Sequence, residues 1–89
     1  MLVASSSEIL VQGRVVEANS GPPEWLDIVN ATVHIKHKSE IGSVTNTQGL
    51  YIIRAQSTDT LVFSAVGYVT QEIPINGNLF VHAYLEPEI

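Results

Sequence analysis

Hydrophobic and polar residues alternate with a period close to two along most of this chain. In the stretch EILVQGRVVE (8–17), positions 9, 11, 13 and 15 fall on one side, whereas Gln12 and Arg14 fall on the other. Successive side chains of a strand point to opposite faces, so this pattern predicts a strand with one buried and one wet face. Likewise, Ala31, Val33 and Ile35 are expected to point inward in the next strand.

The same alternation predicts six further strands and no regular helix. They are ATVHIKHK (31–38), a short strand around GSVT (42–45), LYIIRA (50–55), TLVFSAV (60–66), YVTQEIPI (68–75) and LFVHAYL (79–85). PPEWLDIV (22–29) has room for one helical turn at most, and the Asn-Gly pair in INGN (75–78) is a strong hairpin signal. Short strands at this spacing favour an all-β protein, a seven-stranded Greek-key β-sandwich. We assign residues 9–86 to this domain and 1–8 to an N-terminal extension.

Composition and charge narrow the functions that such a domain can have. The chain has 89 residues, enough for one core, and 45% of them are hydrophobic. It lacks cysteine, so disulfides and thiolate metal sites are excluded. The net charge of −5, with no basic patch, makes nucleic acid and anionic membranes poor partners. No apolar run approaches the roughly 20 residues that span a bilayer, and the first ten residues lack the basic segment of a signal peptide.

Several short motifs, in the right order and spacing, resemble those of carboxypeptidase regulatory-like domains. VQGRVVE is similar to the opening-strand pattern of that family, NATVHI to its second strand, and SVTNTQGLYII to its Thr-Asp-x-x-Gly-x-Phe/Tyr-x-Ile pattern. LVFSAVGY and LFVHAYLEP resemble the later strands. The resemblance covers roughly residues 9–85 and implies a transthyretin (prealbumin)-like sandwich.

The resemblance also carries expectations about function. Such domains are mostly non-catalytic; similar ones stand beside metallocarboxypeptidase units, precede TonB-dependent outer-membrane receptors and recur in bacterial surface proteins. This implies an extracytoplasmic bacterial setting, in the periplasm, outer membrane or cell surface. The sequence departs from the family pattern twice: Asn46 replaces the usual Asp, and the first loop is lengthened by GPPEWLDIV.

The polar stretch before the fourth predicted strand has two interpretations. Asn46 and Gly49 suit a tight turn, in which the Asn side chain bonds backbone two residues on and Gly adopts a left-handed conformation. Tyr51 would then point into the core. Alternatively, residues 45–48 (Thr-Asn-Thr-Gln) would supply oxygen ligands to a cation. The turn is favoured, because the stretch contains no carboxylate.

Enzymatic and metal-binding functions find little support in the remaining residues. His34, His37 and His82 raise a zinc hypothesis, but His34 and His37 have opposite parity on one predicted strand, which favours surface histidines. The chain lacks the terminal motif of the transthyretin-related hydrolases, and Gly-x-Ser-x-Gly is absent. A Lys–Asn isopeptide bond would need a lysine in the first strand, where Arg14 stands. We therefore predict no catalytic residues, cofactor or metal.

The outer face of the last predicted strand is the main candidate for binding. Val81, Ala83 and Leu85 should face the core, which leaves Phe80, His82 and Tyr84 on the other side. Three uses stay open for these rings: packing under the long loop with Trp25, contact with a neighbouring domain or partner protein, or stacking on carbohydrate.

Gly67 and Tyr68 are expected to be structural, with the Tyr68 hydroxyl group bonding to backbone as in a tyrosine corner. The predicted function is a non-catalytic accessory or docking module of a larger exported bacterial protein. The alternative is a carbohydrate- or small-ligand-binding module that uses Trp25, Phe80 and Tyr84.

Overall fold

The computed structural model describes residues 8–21 and 25–88, which form two facing β-sheets. The strands are β1 (Glu8–Glu17), β2 (Thr32–Ile35), β3 (Lys38–Val44), β4 (Leu50–Gln56), β5 (Thr60–Ser64), β6 (Gln71–Pro74) and β7 (Ala83–Leu85). One sheet has the order β4-β1-β7 and the other β3-β2-β5-β6. The predicted all-β sandwich of seven strands is confirmed. The proposed N-terminal extension, 1–8, lies outside the described residues except for Glu8.

The core lies between the sheets and consists of the inward residues of the alternating pattern. β1 pairs antiparallel with β4 and parallel with β7, and neighbours in the four-stranded sheet are antiparallel. The largest fully buried side chains are Phe63, Ile35, Leu61, Ile75, Leu85, Val11, Val15 and Val33. Burying a side chain of this kind contributes about 1.5–3 kcal/mol. Because the chain has no disulfide, this apolar burial is the main source of stability.

The second strand is shorter than predicted, because the chain turns at Lys36 and His37. Ile35 pairs with Lys38 across this turn, and His37 has a φ of 68°. Such a left-handed conformation belongs to turns rather than to strands. His37 therefore does not share a strand with His34, and the expectation that it would was wrong.

The Asn-Gly pair forms a turn, but the predicted hairpin is absent. Asn76 and Gly77 both have positive φ, 50° and 77°, and the Asn78 N–H donates to the Ile75 carbonyl oxygen at 2.9 Å. The segment that follows joins β1 in the three-stranded sheet, whereas β6 belongs to the four-stranded sheet. The turn thus transfers the chain from one sheet to the other.

The ladder between β1 and the last segment of the chain is interrupted at its middle. Gln12 pairs with Phe80, and residues 15–17 pair with residues 83–85 in the same parallel register. Between these points the Arg14 N–H donates to the side chain of His82, at Nδ1 and 3.1 Å, rather than to a backbone carbonyl. The strand predicted for 79–85 is therefore regular only from Ala83 onward.

Gly13 explains why the ladder is interrupted. It lies on the inward face of β1, opposite Tyr51 of β4. A Cβ atom at Gly13 would lie 1.9 Å from the Val81 carbonyl oxygen and 3.1 Å from the Tyr51 ring. The Val81 carbonyl is thus turned inward over the glycine, where the Tyr51 hydroxyl group donates to it at 2.6 Å. A glycine within a strand permits this close backbone approach, and the hydroxyl group satisfies an acceptor that would otherwise be buried and unpaired.

Replacing Gly13 by alanine should destabilise the fold by about 1–3 kcal/mol or more, because the new methyl group would overlap a backbone carbonyl. Urea denaturation monitored by circular dichroism measures this change. Gly21→Ala is the matched control, since a Cβ atom at Gly21 meets nothing within 4 Å. Equal midpoints for Gly13→Ala and the wild type would contradict the proposed close approach.

Tyr51 should make the stability of the protein fall in alkaline solution. Burial raises the pKa of its hydroxyl group above the ordinary value of 10.0. The folded state therefore keeps this proton at pH values where the unfolded chain has lost it. The contribution of Tyr51 to the free energy of unfolding is fully present below about pH 10. It decreases above that pH, by up to about 1.4 kcal/mol per pH unit.

The test compares urea denaturation of the wild type and of Tyr51→Phe from about pH 8 to pH 11. The variant should be less stable at neutral pH, since it loses the hydrogen bond to Val81, and should show a shallower alkaline decline. Parallel curves above pH 10 would contradict this assignment.

Candidate functional site

A cleft on the three-stranded sheet brings together residues from β1, the long loop and the last segment. It has a volume of about 180 Å³ and is lined by Arg14, Val16, Trp25, His82 and Tyr84. We call it the aromatic cleft. Trp25, His82 and Tyr84, three of the binding candidates from the sequence, therefore lie together. The fourth candidate, Phe80, lies outside the cleft and beside Gln12.

The loop between β1 and β2 reaches the cleft because its second half pairs with β1. β4 accompanies β1 only as far as Arg14. Beyond that point Val16 bridges to Asp27, and the Glu17 N–H donates to the Leu26 carbonyl oxygen at 2.9 Å. The loop thus takes the place of β4 beside the end of β1 and covers Val16. Residues 25–28 form no helical turn, and residues 22–24 of the proposed turn lie outside the described part of the chain.

An ion pair joins this loop to the sheet. Nε and Nη2 of Arg14 each lie 2.7 Å from Oδ1 of Asp27, and the two side chains are 43% and 24% exposed. Within residues 8–21 and 25–88, no hydrogen bond uses Oδ2 of Asp27 or Nη1 of Arg14. Of the two residues in the pair, Arg14 lines the cleft. Sequence reasoning missed Asp27, because an ion pair across 13 positions follows no strand or helix period.

Two aromatic rings form the apolar part of the cleft. The centroids of Trp25 and Tyr84 lie 5.8 Å apart, and the ring planes make an angle of 52°. Trp25 covers part of Tyr84, which remains 48% exposed, whereas Phe80 is 62% exposed. The long loop thus shields one end of the predicted aromatic face and leaves Phe80 open.

His82 has a structural contact that its sequence position did not suggest. Its Nδ1 accepts from the Arg14 N–H, which replaces the backbone acceptor missing from the interrupted ladder. Since Nδ1 acts as an acceptor, the neutral ring carries its proton on Nε2.

The three histidines do not converge on a metal site. His34 lies in β2, His37 lies in the turn that follows it, and His82 belongs to the other sheet. Within the described ranges, no three His, Cys, Asp or Glu side chains lie close enough together to hold a metal ion.

The polar stretch before β4 adopts the predicted turn geometry. Oδ1 of Asn46 accepts from the N–H groups of Gln48 and Leu50, at 2.9 and 3.0 Å. Gly49 has a φ of 74°, and a Cβ atom there would lie 2.7 Å from the Val15 carbonyl oxygen. The Asn46 side chain therefore orders backbone, and glycine is required at position 49 for both conformation and space.

Thr45, one of the proposed cation ligands, is buried and fully engaged. Its Oγ1 donates to the Ile28 carbonyl oxygen at 2.6 Å and accepts from the Ala31 N–H at 2.8 Å. This hydroxyl group joins the end of the long loop to the residue that follows β3, and burial closes it off from an ion.

Tyr68 is structural, but the predicted tyrosine-corner contact is wrong. Its hydroxyl group donates to a carboxylate, Oε1 of Glu17, at 2.9 Å, rather than to backbone. This hydrogen bond raises the pKa of Tyr68. Gly67 precedes it with a φ of 87°. The contact ties the chain before β6 to the end of β1.

Both lysines form ion pairs at the surface. Lys36 lies 2.9 Å from Glu72, and Lys38 lies 3.6 Å from Asp59. Exposed pairs of this kind contribute little to stability.

The described strands and loops include no helix with the length and apolarity that membrane spanning requires.

Comparison with known proteins identifies two similarities. The profile of the CarboxypepD_reg-like domain family matches residues 11–86. A stretch of 58 residues is 40% identical to "TonB-dependent receptor P26" from Formosa agariphila, and covers 65% of this chain. The chain spans only about 6% of that receptor.

His82 accepts a hydrogen bond from the Arg14 N–H in place of a backbone carbonyl, and this role predicts different effects for two substitutions. His82→Ala removes the acceptor of the Arg14 N–H and should lower stability by about 0.5–1.5 kcal/mol. His82→Asn should restore most of this loss, because the Asn oxygen can occupy a position near that of Nδ1. Amide hydrogen exchange at Arg14, measured by NMR, reports on the bond itself. The role would be refuted by equal Arg14 exchange rates in the wild type and His82→Ala.

Proposed function

We propose, because this chain belongs to the CarboxypepD_reg-like domain family, that it is a non-catalytic accessory module of a larger exported bacterial protein. The family match over residues 11–86 and the similarity to one small part of a TonB-dependent receptor support this proposal. The parent protein would be of the outer-membrane receptor or cell-surface type. The module would accordingly lie in the periplasm, at the outer membrane or on the cell surface.

The observation that carries a docking role is the apolar character of one sheet surface. Outward positions of a solvent-facing antiparallel sheet are normally polar. Here they include Leu10, Leu50, Ile52 and Phe80, which are exposed by 47%, 42%, 50% and 62%. We call these four side chains the outer face. Gln12 pairs with Ile52 on one side and Phe80 on the other, so this polar side chain lies between two members of the outer face.

Exposed apolar side chains that lie on one face and have a polar rim mark surfaces that contact other proteins. We assign the contact to another part of the polypeptide that contains the module. The relative is much longer than this chain, so such a module would have a large attached protein within reach. Tethering raises the effective concentration, and a small apolar surface can then be sufficient for docking.

The second candidate function, a carbohydrate- or small-ligand-binding module, is favoured by one observation. Trp25 and Tyr84 form a partly open aromatic pair beside a half-exposed ion pair. Titration with glycans, followed through the fluorescence of Trp25, separates this function from docking alone.

Photocrosslinking in the complete parent polypeptide tests the docking role. Phe80→p-benzoylphenylalanine places a reactive ketone on the outer face and should crosslink to a segment of the same polypeptide outside this domain. Glu40→p-benzoylphenylalanine on β3 is the control, because Glu40 is exposed on the other sheet. Mass spectrometry of the crosslinked peptides identifies the contact.

Two results would overturn this assignment. Equal, weak crosslinking from both positions would show that the outer face contacts nothing. Crosslinking from position 80 to a different protein would transfer the contact from the parent chain to a separate partner.

A further inference from the structure

We infer that the aromatic cleft binds a single ring of a neutral saccharide. This inference rests on the second candidate function, the ligand-binding module, and specifies its ligand class and contacts. It does not depend on docking through the outer face.

The aromatic rings provide two apolar surfaces at a suitable angle. Trp25 and Tyr84 are tilted by 52° with centroids 5.8 Å apart, and both rings line the cleft. The ring of a sugar has faces composed of C–H groups, which pack against aromatic rings. The cleft volume of about 180 Å³ lies well below the roughly 300–1,000 Å³ typical of pockets for drug-sized ligands. One sugar ring therefore fits this space better than a larger ligand.

The polar groups favour hydroxyl groups as their partners. Arg14 lines the cleft, and its guanidinium is held by Asp27 at 2.7 Å. A hydroxyl group of a sugar can accept from the remaining N–H groups of this guanidinium. His82 adds a further donor, because its proton lies on Nε2 when Nδ1 accepts.

Charge decides between neutral and anionic ligands. The positive charge of Arg14 is already matched by Asp27 at 2.7 Å. An anionic group would have to approach that carboxylate or displace it, on a chain whose net charge is −5. A neutral saccharide avoids this repulsion, because it binds the ion pair without separating the two charges.

Two side chains at or beside the cleft make contacts within the domain before a ligand binds. Asp27 is positioned by its bridge to Val16, and the His82 ring by its bond to the Arg14 N–H. Little conformational entropy would be lost on binding, which matters for a small site with few contacts.

NMR titration of the 89-residue chain provides the test. The probes are neutral hexasaccharides (cellohexaose, mannohexaose, xylohexaose and maltohexaose) and, as the anionic comparison, oligogalacturonate. At least one neutral probe should cause saturable shifts at the Trp25 indole N–H and at the Arg14 and Tyr84 amides. Binding should change little when salt is raised from about 0.05 to 0.5 M, because no net charge is neutralised.

Substitutions locate the binding within the cleft. Tyr84→Ala should weaken the affinity about tenfold, since a stacking surface is lost, whereas Tyr84→Phe should retain most of it. Phe80→Ala is the matched control, as an exposed aromatic outside the cleft, and should leave the affinity unchanged. Equal weakening by Phe80→Ala and Tyr84→Ala would remove the site from the cleft.

The remaining outcomes separate this inference from the function on which it rests. Salt-sensitive binding of oligogalacturonate alone would overturn the neutral class but preserve a binding module. If no probe produces saturable shifts, both the inference and the binding-module function fail, while docking through the outer face is unaffected.

Discussion

The hydroxyl group of Tyr51 donates to the carbonyl oxygen of Val81 at 2.6 Å, over the inward face of Gly13. This hydrogen bond links β4 to the last segment across β1, so it connects all parts of the three-stranded sheet. It also gives a partner to the buried Val81 carbonyl group, which does not accept a hydrogen bond from the β1 ladder. An unpaired acceptor in such a buried place would be costly. The same ring packs edge-on against Phe63 of the opposite sheet, with centroids 5.4 Å apart. One tyrosine, and a glycine that leaves room for it, thus join the three-stranded sheet together and contribute to its packing against the other sheet.

Both candidate binding surfaces follow from this junction. With Val81 turned inward, Phe80 and His82 remain on the outer side of the sheet, and the His82 side chain takes over the missing backbone acceptor. Phe80 then joins the outer face. Tyr84 meets Trp25, because the long loop replaces β4 beside the end of β1. The outer face and the aromatic cleft are therefore neighbouring surfaces. The interrupted ladder beside β1 and the lengthened loop shape them.

Polar residues that looked like ligands in the sequence serve mainly to hold backbone in place. Asn46 orders the turn before β4, and Thr45 fastens the long loop. A small domain without disulfides has many loop N–H and carbonyl groups to satisfy, and side chains close to these loops supply the partners. The side chains that remain available for binding lie at the sheet surface. There the backbone N–H and carbonyl groups form hydrogen bonds with neighbouring strands, so they do not require side-chain partners.

The architecture could be predicted from the amino-acid sequence, because alternation of apolar residues fixes which face of each strand is buried. The same sequence also identified the family, through motifs whose order and spacing the profile match over residues 11–86 confirms. Turn chemistry was local enough to be predicted at Asn46 and Gly49, since those contacts span only a few residues. Three features could not be predicted in this way: the inward rotation of the Val81 carbonyl, the hydrogen bond from the Arg14 N–H to His82, and the Arg14–Asp27 ion pair. These contacts join residues with no fixed sequence spacing. They form because the fold brings β1, the long loop and the last segment next to one another.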